Sequence, residues 1–255
     1  MDELQAVTRF ATEYGIDFGV EHSVRFCAGE WFPQRQLLSF HAGDFSQAAL
    51  GELLSALSLN DPSALLRFFP GSEYVHFAAE ACASVTICKC YLELDTANAS
   101  PNAECIRFLG WKWATGPTAD SGHVLTQYRQ QPVRSWQSVV DQIDTIADLP
   151  SSVADMLHIC RGKFPERLPQ LLQVTESGSV RHSWDVNVYD SVVSLQEITP
   201  LLHALCDTWK IPVSSVGDFL QPRQHALVGH LAAGIHRSGR PFLTVYFREP
   251  PTVNL

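Results

Sequence analysis

Five stretches of this chain alternate apolar and polar residues, four of them on either side of Gly- or Pro-containing turns. That period of two constrains the fold more than any other feature. GVEHSVRFCAGEWFPQRQLLSFHAG flanks Gly29 and Pro33, and YVHFAAEACASVTICKCYLELD has the marks of a second hairpin without a Gly or Pro at its turn. AECIRFLGWKWATGPTADSGHVLTQYRQ turns through Gly116-Pro117 and Ser121-Gly122, LLQVTESGSVRHSWDVNVYDS through Ser177-Gly178, and ALVGHLAAGIHRSGRPFLTVYFRE through Ser238-Gly239. Each predicts a β-hairpin. Helical segments are predicted over 1–16, ending at Gly15; over 44–69, with Asp44 or Ser46 as the first cap and Asp61-Pro62 opening a second helix; over 133–168, interrupted at Pro150 and Pro165; and over 194–220, broken at Pro212. The tail EPPTVNL is predicted to be loose. No linker or shift of composition divides the chain, so the expectation is one α+β domain over 1–255.

The alternation sorts residues onto two faces. In WDVNVYD, Val186 and Val188 oppose Asp185, Asn187 and Tyr189; in FLTVYF, Leu243, Val245 and Phe247 oppose Thr244 and Tyr246; in TICKCYLEL, Cys88, Cys90 and Leu92 oppose Lys89 and Tyr91. The apolar face suits packing against helices. The polar face has two readings: it meets water on an open sheet, or about ten strands close into a barrel whose lumen it lines.

Other classes are excluded or disfavoured. A net charge of -9 argues against general binding to nucleic acid, while leaving room for a local basic lining around a small anion. The start MDELQAVTRF lacks a signal-peptide pattern, and no apolar run reaches the roughly 18 residues of a membrane span. The seven cysteines are odd in number and form no CxxC pair, and Cys88-x-Cys90 is too tight for zinc, so they read as reduced, small apolar residues of a cytoplasmic protein. GxGxxG, Walker, GxSxG and HExxH motifs are absent, Ser, His and Asp show no triad spacing, and His22 and His41 make no recognisable metal set.

The order of hairpins and helix pairs resembles the aromatic prenyltransferases of the ABBA fold, and several segments look like those of the dimethylallyltryptophan synthase branch. GVEHSVRF resembles the branch's first strand and makes Glu21 the residue that handles the acceptor's proton. Arg35 in PQRQLLSF falls where the family has an arginine for the diphosphate, and CKCYLEL matches its Lys-x-Tyr strand through Lys89 and Tyr91. VNVYD is similar to a later polar-x-Tyr strand, giving Asn187 and Tyr189. GHLAAGIHRSGRPFLTVYF resembles the last hairpin, with Tyr246 as the matching tyrosine, His230 where a tyrosine is common and Arg237 near a family arginine. One departure concerns the second Lys-x-Tyr strand: LTQYRQ offers Thr126 and Tyr128 without a lysine, so Lys112 or Arg107 would have to substitute. The chain is nearer in size to bacterial members, including those that prenylate peptides, than to fungal ones.

The resemblance implies a ten-stranded antiparallel barrel of about five hairpins ringed by helices, working without cofactor, and nothing in the sequence demands more than a monomer. Arg35, Lys89, Arg25 and Arg237 would hold the leaving diphosphate of a dimethylallyl or geranyl donor. No DDxxD-like cluster offers to hold magnesium, which fits a metal-independent route. Tyr91, Tyr128, Tyr189 and Tyr246, with Asn187, would shield the allyl cation and bind the prenyl chain, and Glu21 would act as base. His76, His230 and Trp113 are further candidates for contact with an indole, tyrosine or peptide acceptor. Two other functions compete. A carrier of an apolar ligand or pigment needs a cavity but no basic cluster, and an interaction module with a solvated sheet face needs neither.

Overall fold

The computed structural model describes residues 2–82, 85–96, 104–116, 119 and 122–249. The chain begins with α1 (Asp2–Tyr14), β1 (Gly19–Cys27) and β2 (Glu30–His41), then α2 (Gln47–Ala56) and α3 (Ser63–Leu66). Four strands follow: β3 (Ser72–Cys82), β4 (Val85–Leu94), β5 (Cys105–Thr115) and β6 (His123–Gln131). After α4 (Trp136–Asp144) and α5 (Ser152–Lys163) come β7 (Gln170–Glu176) and β8 (His182–Asn187). The chain continues through α6 (Leu195–Trp209) and α7 (Val213–Leu220) to β9 (Leu227–Ile235) and β10 (Pro241–Arg248). The strands follow one another in the order β1-β10-β9-β8-β7-β6-β5-β4-β3-β2 and close into an antiparallel barrel of ten. The hairpin plan is therefore as the alternation predicts, and the closed barrel is as the resemblance implies. Closure removes the exposed edges that an open sheet of this length would carry.

Local chemistry explains the boundaries. Gly15, Gly29, Gly178 and Gly239 all have positive φ, ending α1 and turning three of the hairpins. Ser46 accepts a hydrogen bond from the Ala49 amide at the start of α2, and Asp61 accepts one from Ser63 at the start of α3. The predicted turn through Pro117 and Ser121 and the predicted loose tail beyond Glu249 fall outside the described residues.

Contacts gather into two compact units: Met1–Glu21, Arg35–Ser100 and Cys105–Arg129 in the first, His22–Gln34, Pro101–Glu104 and Gln130–Leu255 in the second. The first buries the apolar faces of its strands, among them Phe40, Phe77, Cys90, Leu92, Trp111 and Trp113, against Val7 and Ala11 of α1 and Leu50, Leu53 and Leu54 of α2. The second buries Val24, Phe26, Val186, Leu231, Leu243 and Val245 with Ile143, Met156, Leu202 and Val216 of α4 to α7. In both units the apolar face of the strands turns outward to the helices, which leaves the polar face for the barrel's interior. Burial pushes the thiols of Cys88, Cys160 and Cys206 up to about 11, so these cysteines serve as packing residues and are poor nucleophiles.

Candidate active site

In the first unit the inward face of β3, β4 and β5 is set by register. Ala78 pairs with Lys89, which pairs with Lys112; His76 pairs with Tyr91, which pairs with Gly110. Lys89 and Lys112 are 5% and 6% exposed and lie directly opposite each other. Like charges in that position repel, and desolvating each costs several kcal/mol unless an anion is near. Glu80 of β3 provides one: its carboxylate bridges Arg35 of β2 and Lys89. Arg107, the other candidate substitute for the missing lysine, is held elsewhere. Its guanidinium donates to Glu93 at 2.7 Å and to Thr96. Lys112, not Arg107, thus joins Lys89.

Beside the cations lies an aromatic group. Tyr91 meets Tyr128 edge to face at 5.9 Å, and Tyr128 meets Phe108 at 5.8 Å. Gly110 makes room for the Tyr91 ring, because a Cβ there would come within 2.7 Å of it. Thr126 of β6 is fully buried nearby, its methine carbon 3.7 Å from that same Cβ position. His76 is tied down through Nδ1 to Ser39 at 2.8 Å and through Nε2 to Glu93 at 3.3 Å. Burial raises the Glu93 pKa, but His76 and Arg107 outweigh it and keep this carboxyl below its usual range. Glu21, on the same β1 face parity as Ser23 and Arg25, is 6% exposed.

The second unit has its own inward face. Ser23 pairs with Tyr246, Tyr246 with His230 and His230 with Asn187. The His230 ring lies 5.0 Å from Tyr189 and 5.3 Å from Tyr246, and its Nδ1 is 3.1 Å from Asp185. Along the strands, towards the turns, Arg25 donates to Thr244 at 3.1 Å, with its guanidinium 5.2 Å from the Phe242 ring. Arg237 sits in the turn between β9 and β10 and pairs with Glu176 at 3.0 Å; Arg181 reaches the same buried carboxylate at 3.4 Å. Burial and then Arg25, Arg181, Arg237 and Arg240 lower the pKa of His236, in the same turn, to about 4. A cleft of about 220 Å³ lies beside Gln170 and Asn187, walled by Trp136, Phe164 and Leu168.

Two sequence expectations change. Tyr189 is not on a strand: β8 stops at Asn187, whose side chain accepts the Tyr189 amide at 3.2 Å and folds the chain into a 3-10 turn over Tyr189–Ser191. The ring still reaches His230. Trp113 lies on the outward face, buried in the helix-packing core, and donates its indole N–H to Leu57 O at 2.7 Å. It is not available to an acceptor in the lumen. Sequence reading missed Glu80, Arg181 and Glu176. Glu80 was within reach, since Tyr74, His76, Ala78 and Glu80 keep the period of two that puts it beside Lys89.

No family model and no curated protein matches the sequence. Solved structures do match by shape. The 5-dimethylallyltryptophan synthase from Streptomyces coelicolor superposes with a TM-score of 0.66 at 14% identity, over 100% of this chain and 93% of that one. The 6-dimethylallyltryptophan synthase from Micromonospora olivasterospora, solved with DMASPP and Trp, gives 0.59 at 14% identity, over 90% and 81%. NotF prenyltransferase in complex with brevianamide F and DMSPP gives 0.57 at 13% identity, over 90% and 79%. With ten strands in one closed antiparallel order and helices on their outward faces, this chain has the fold of the ABBA aromatic prenyltransferases.

Proposed function

We propose that the protein transfers a prenyl group, dimethylallyl or geranyl, from its diphosphate to an electron-rich acceptor without a metal ion. An indole is the first choice of acceptor, with a tyrosine or a peptide side chain as alternatives. The observation that carries this reading is the buried pair Lys89 and Lys112, opposed in register and joined by Arg35, beside the rings of Tyr91 and Tyr128. Cations concentrated on an inward face suit the charge of a diphosphate, and aromatic faces beside them suit a carbocation. The bound molecules named for the similar structures, DMASPP with Trp and DMSPP with brevianamide F, support the same class of reaction.

In this reading the allylic C–O bond breaks and its electron pair leaves with the diphosphate, onto Arg35, Lys89 and Lys112. Arg25 and Arg237 are further candidates for that charge. Tyr91 and Tyr128 face the allyl cation, and Tyr189 and Tyr246, with Asn187, are the second unit's candidates for shielding it and binding the prenyl chain. The acceptor's ring carbon forms the new C–C bond, and its proton passes to Glu21, restoring aromaticity. His76 and His230 are the remaining candidates for acceptor contact. Among the described residues no helix is long and apolar enough to cross a membrane. We infer a monomer of the cytoplasm, where thiols stay reduced.

Mass spectrometry tests the reading. The protein is incubated with dimethylallyl or geranyl diphosphate, a panel of indole, tyrosine and peptide acceptors, and EDTA. The expected product is heavier by one prenyl unit and disappears in Lys89→Ala. No product, with no diphosphate binding by calorimetry, overturns the proposal and leaves the ligand carrier.

A further inference from the structure

We propose that Glu80 is a built-in counter-anion, occupying the cations that bind the donor until the donor's diphosphate displaces it. The inference rests on the donor reading above and adds a residue that sets its affinity.

The geometry is specific. One carboxylate oxygen of Glu80 meets Arg35 Nε and the other meets Lys89 Nζ, so a single carboxylate bridges the two groups. Lys89 faces Lys112 across β4 and β5. A site with this much buried positive charge is costly to leave without an anion, and Glu80 lowers that cost in the resting protein. A diphosphate oxygen seeks the same N–H donors. Two anions on one pair of cations repel, so the donor must take the place of the carboxylate.

Glu80 is also placed to leave. It lies two residues before the end of β3, and its side chain is 21% exposed, against 5% for Lys89 and 10% for Arg35. A rotamer change carries the carboxylate towards solvent without moving the strand. The same exchange run backwards helps the product depart. Inorganic diphosphate would otherwise stay on the cations, and a returning carboxylate competes it off.

The experiment compares the wild-type chain with Glu80→Gln, which keeps the shape and removes the charge. Glu80→Ala removes the carboxylate by a second route. Calorimetry with an unreactive thiolo analogue of dimethylallyl diphosphate, and separately with inorganic diphosphate, is expected to show roughly tenfold tighter binding of both ligands in the variants. Under turnover, KM for the donor falls and kcat falls with it, because the diphosphate leaves more slowly. A residue that merely braced Arg35 and Lys89 would give the opposite sign. Weaker or unchanged binding in both variants, with the wild type binding normally, overturns the role of Glu80 and leaves the donor reading intact. A wild type that binds neither ligand overturns the donor reading and this inference with it.

Discussion

Gly110 gives the sharpest test of the aromatic group. Tyr91 lies over β5 only because position 110 has no Cβ; an added one would sit 2.7 Å from Cδ1 of the ring and 2.8 Å from Cε1. Gly110→Ala must therefore push Tyr91 off its place and break the edge-to-face contact with Tyr128. Overpacking of this kind costs about 1–3 kcal/mol of stability. If Tyr91 shields an allyl cation, water gains access to it. The expected outcome is a higher proportion of prenyl alcohol to prenylated acceptor, measured by chromatography of a complete turnover mixture. An unchanged ratio would remove Tyr91 from the shield. Residue by residue, the inward face was largely legible. Lys89 and Tyr91 follow from alternation alone, and so does Lys112, because Trp111 and Trp113 on either side of it must face the helices. The same rule places Trp113 outward, so its candidacy as an acceptor contact conflicted with the position of its own neighbour.

Elements were legible where a turn glycine or a proline marks their ends, as at Gly29, Gly178 and Gly239. β8 was harder to read, because VNVYD continues the alternation past the point where the backbone leaves the sheet. Asn187 stops it by capping the Tyr189 amide, a local hydrogen bond that competes with the ladder. Long-range pairing was not legible at all: nothing in the spacing of Glu176 and Arg237 announces that one holds the other across two hairpins. The turn between β9 and β10 carries a prediction of its own. The His236 pKa is lowered from 6.5 to about 4, first by burial and then by Arg25, Arg181, Arg237 and Arg240, so the folded protein keeps it neutral. As pH falls from 6.5 towards 4, the unfolded chain takes up a proton at this site and the folded one does not. Stability conferred by the neutral ring is thus present above that window and lost through it. Urea midpoints measured at pH 7 and pH 5 should differ less in His236→Asn than in the wild type. An equal difference would mean that neither burial nor the arginines shift this histidine in the folded protein.

For the whole molecule, the question is whether two compact units mean two folding units. We propose that they do not. The boundary between the units falls inside β1, between Glu21 and His22, and again between Gln34 and Arg35 inside β2. Independent domains meet at exposed linkers that few contacts cross. Here these two boundaries cut strands, as does a third between Arg129 and Gln130 in β6: β1 pairs with β10 from His22 onward, while β2 pairs with β3 from Gln36 onward. Melting one unit would leave β1 and β2 each ordered along only part of its length, and a strand cut in mid-course is not the exposed linker at which independent domains separate. Tryptophans report on both units. Trp111 and Trp113 belong to the first, and Trp31, Trp136, Trp184 and Trp209 to the second. Two variants follow, one keeping only the first pair and one keeping only the second set, the others replaced by Phe. In each, the urea transition followed by fluorescence is expected to coincide with that followed by circular dichroism, and, with each variant's own stability allowed for, neither unit should melt ahead of the backbone signal. Separated transitions within one variant would show that the first unit, with its lysine pair, folds on its own. The cations of Arg35, Lys89 and Lys112, all in the first unit, would then be brought together by that unit's folding alone.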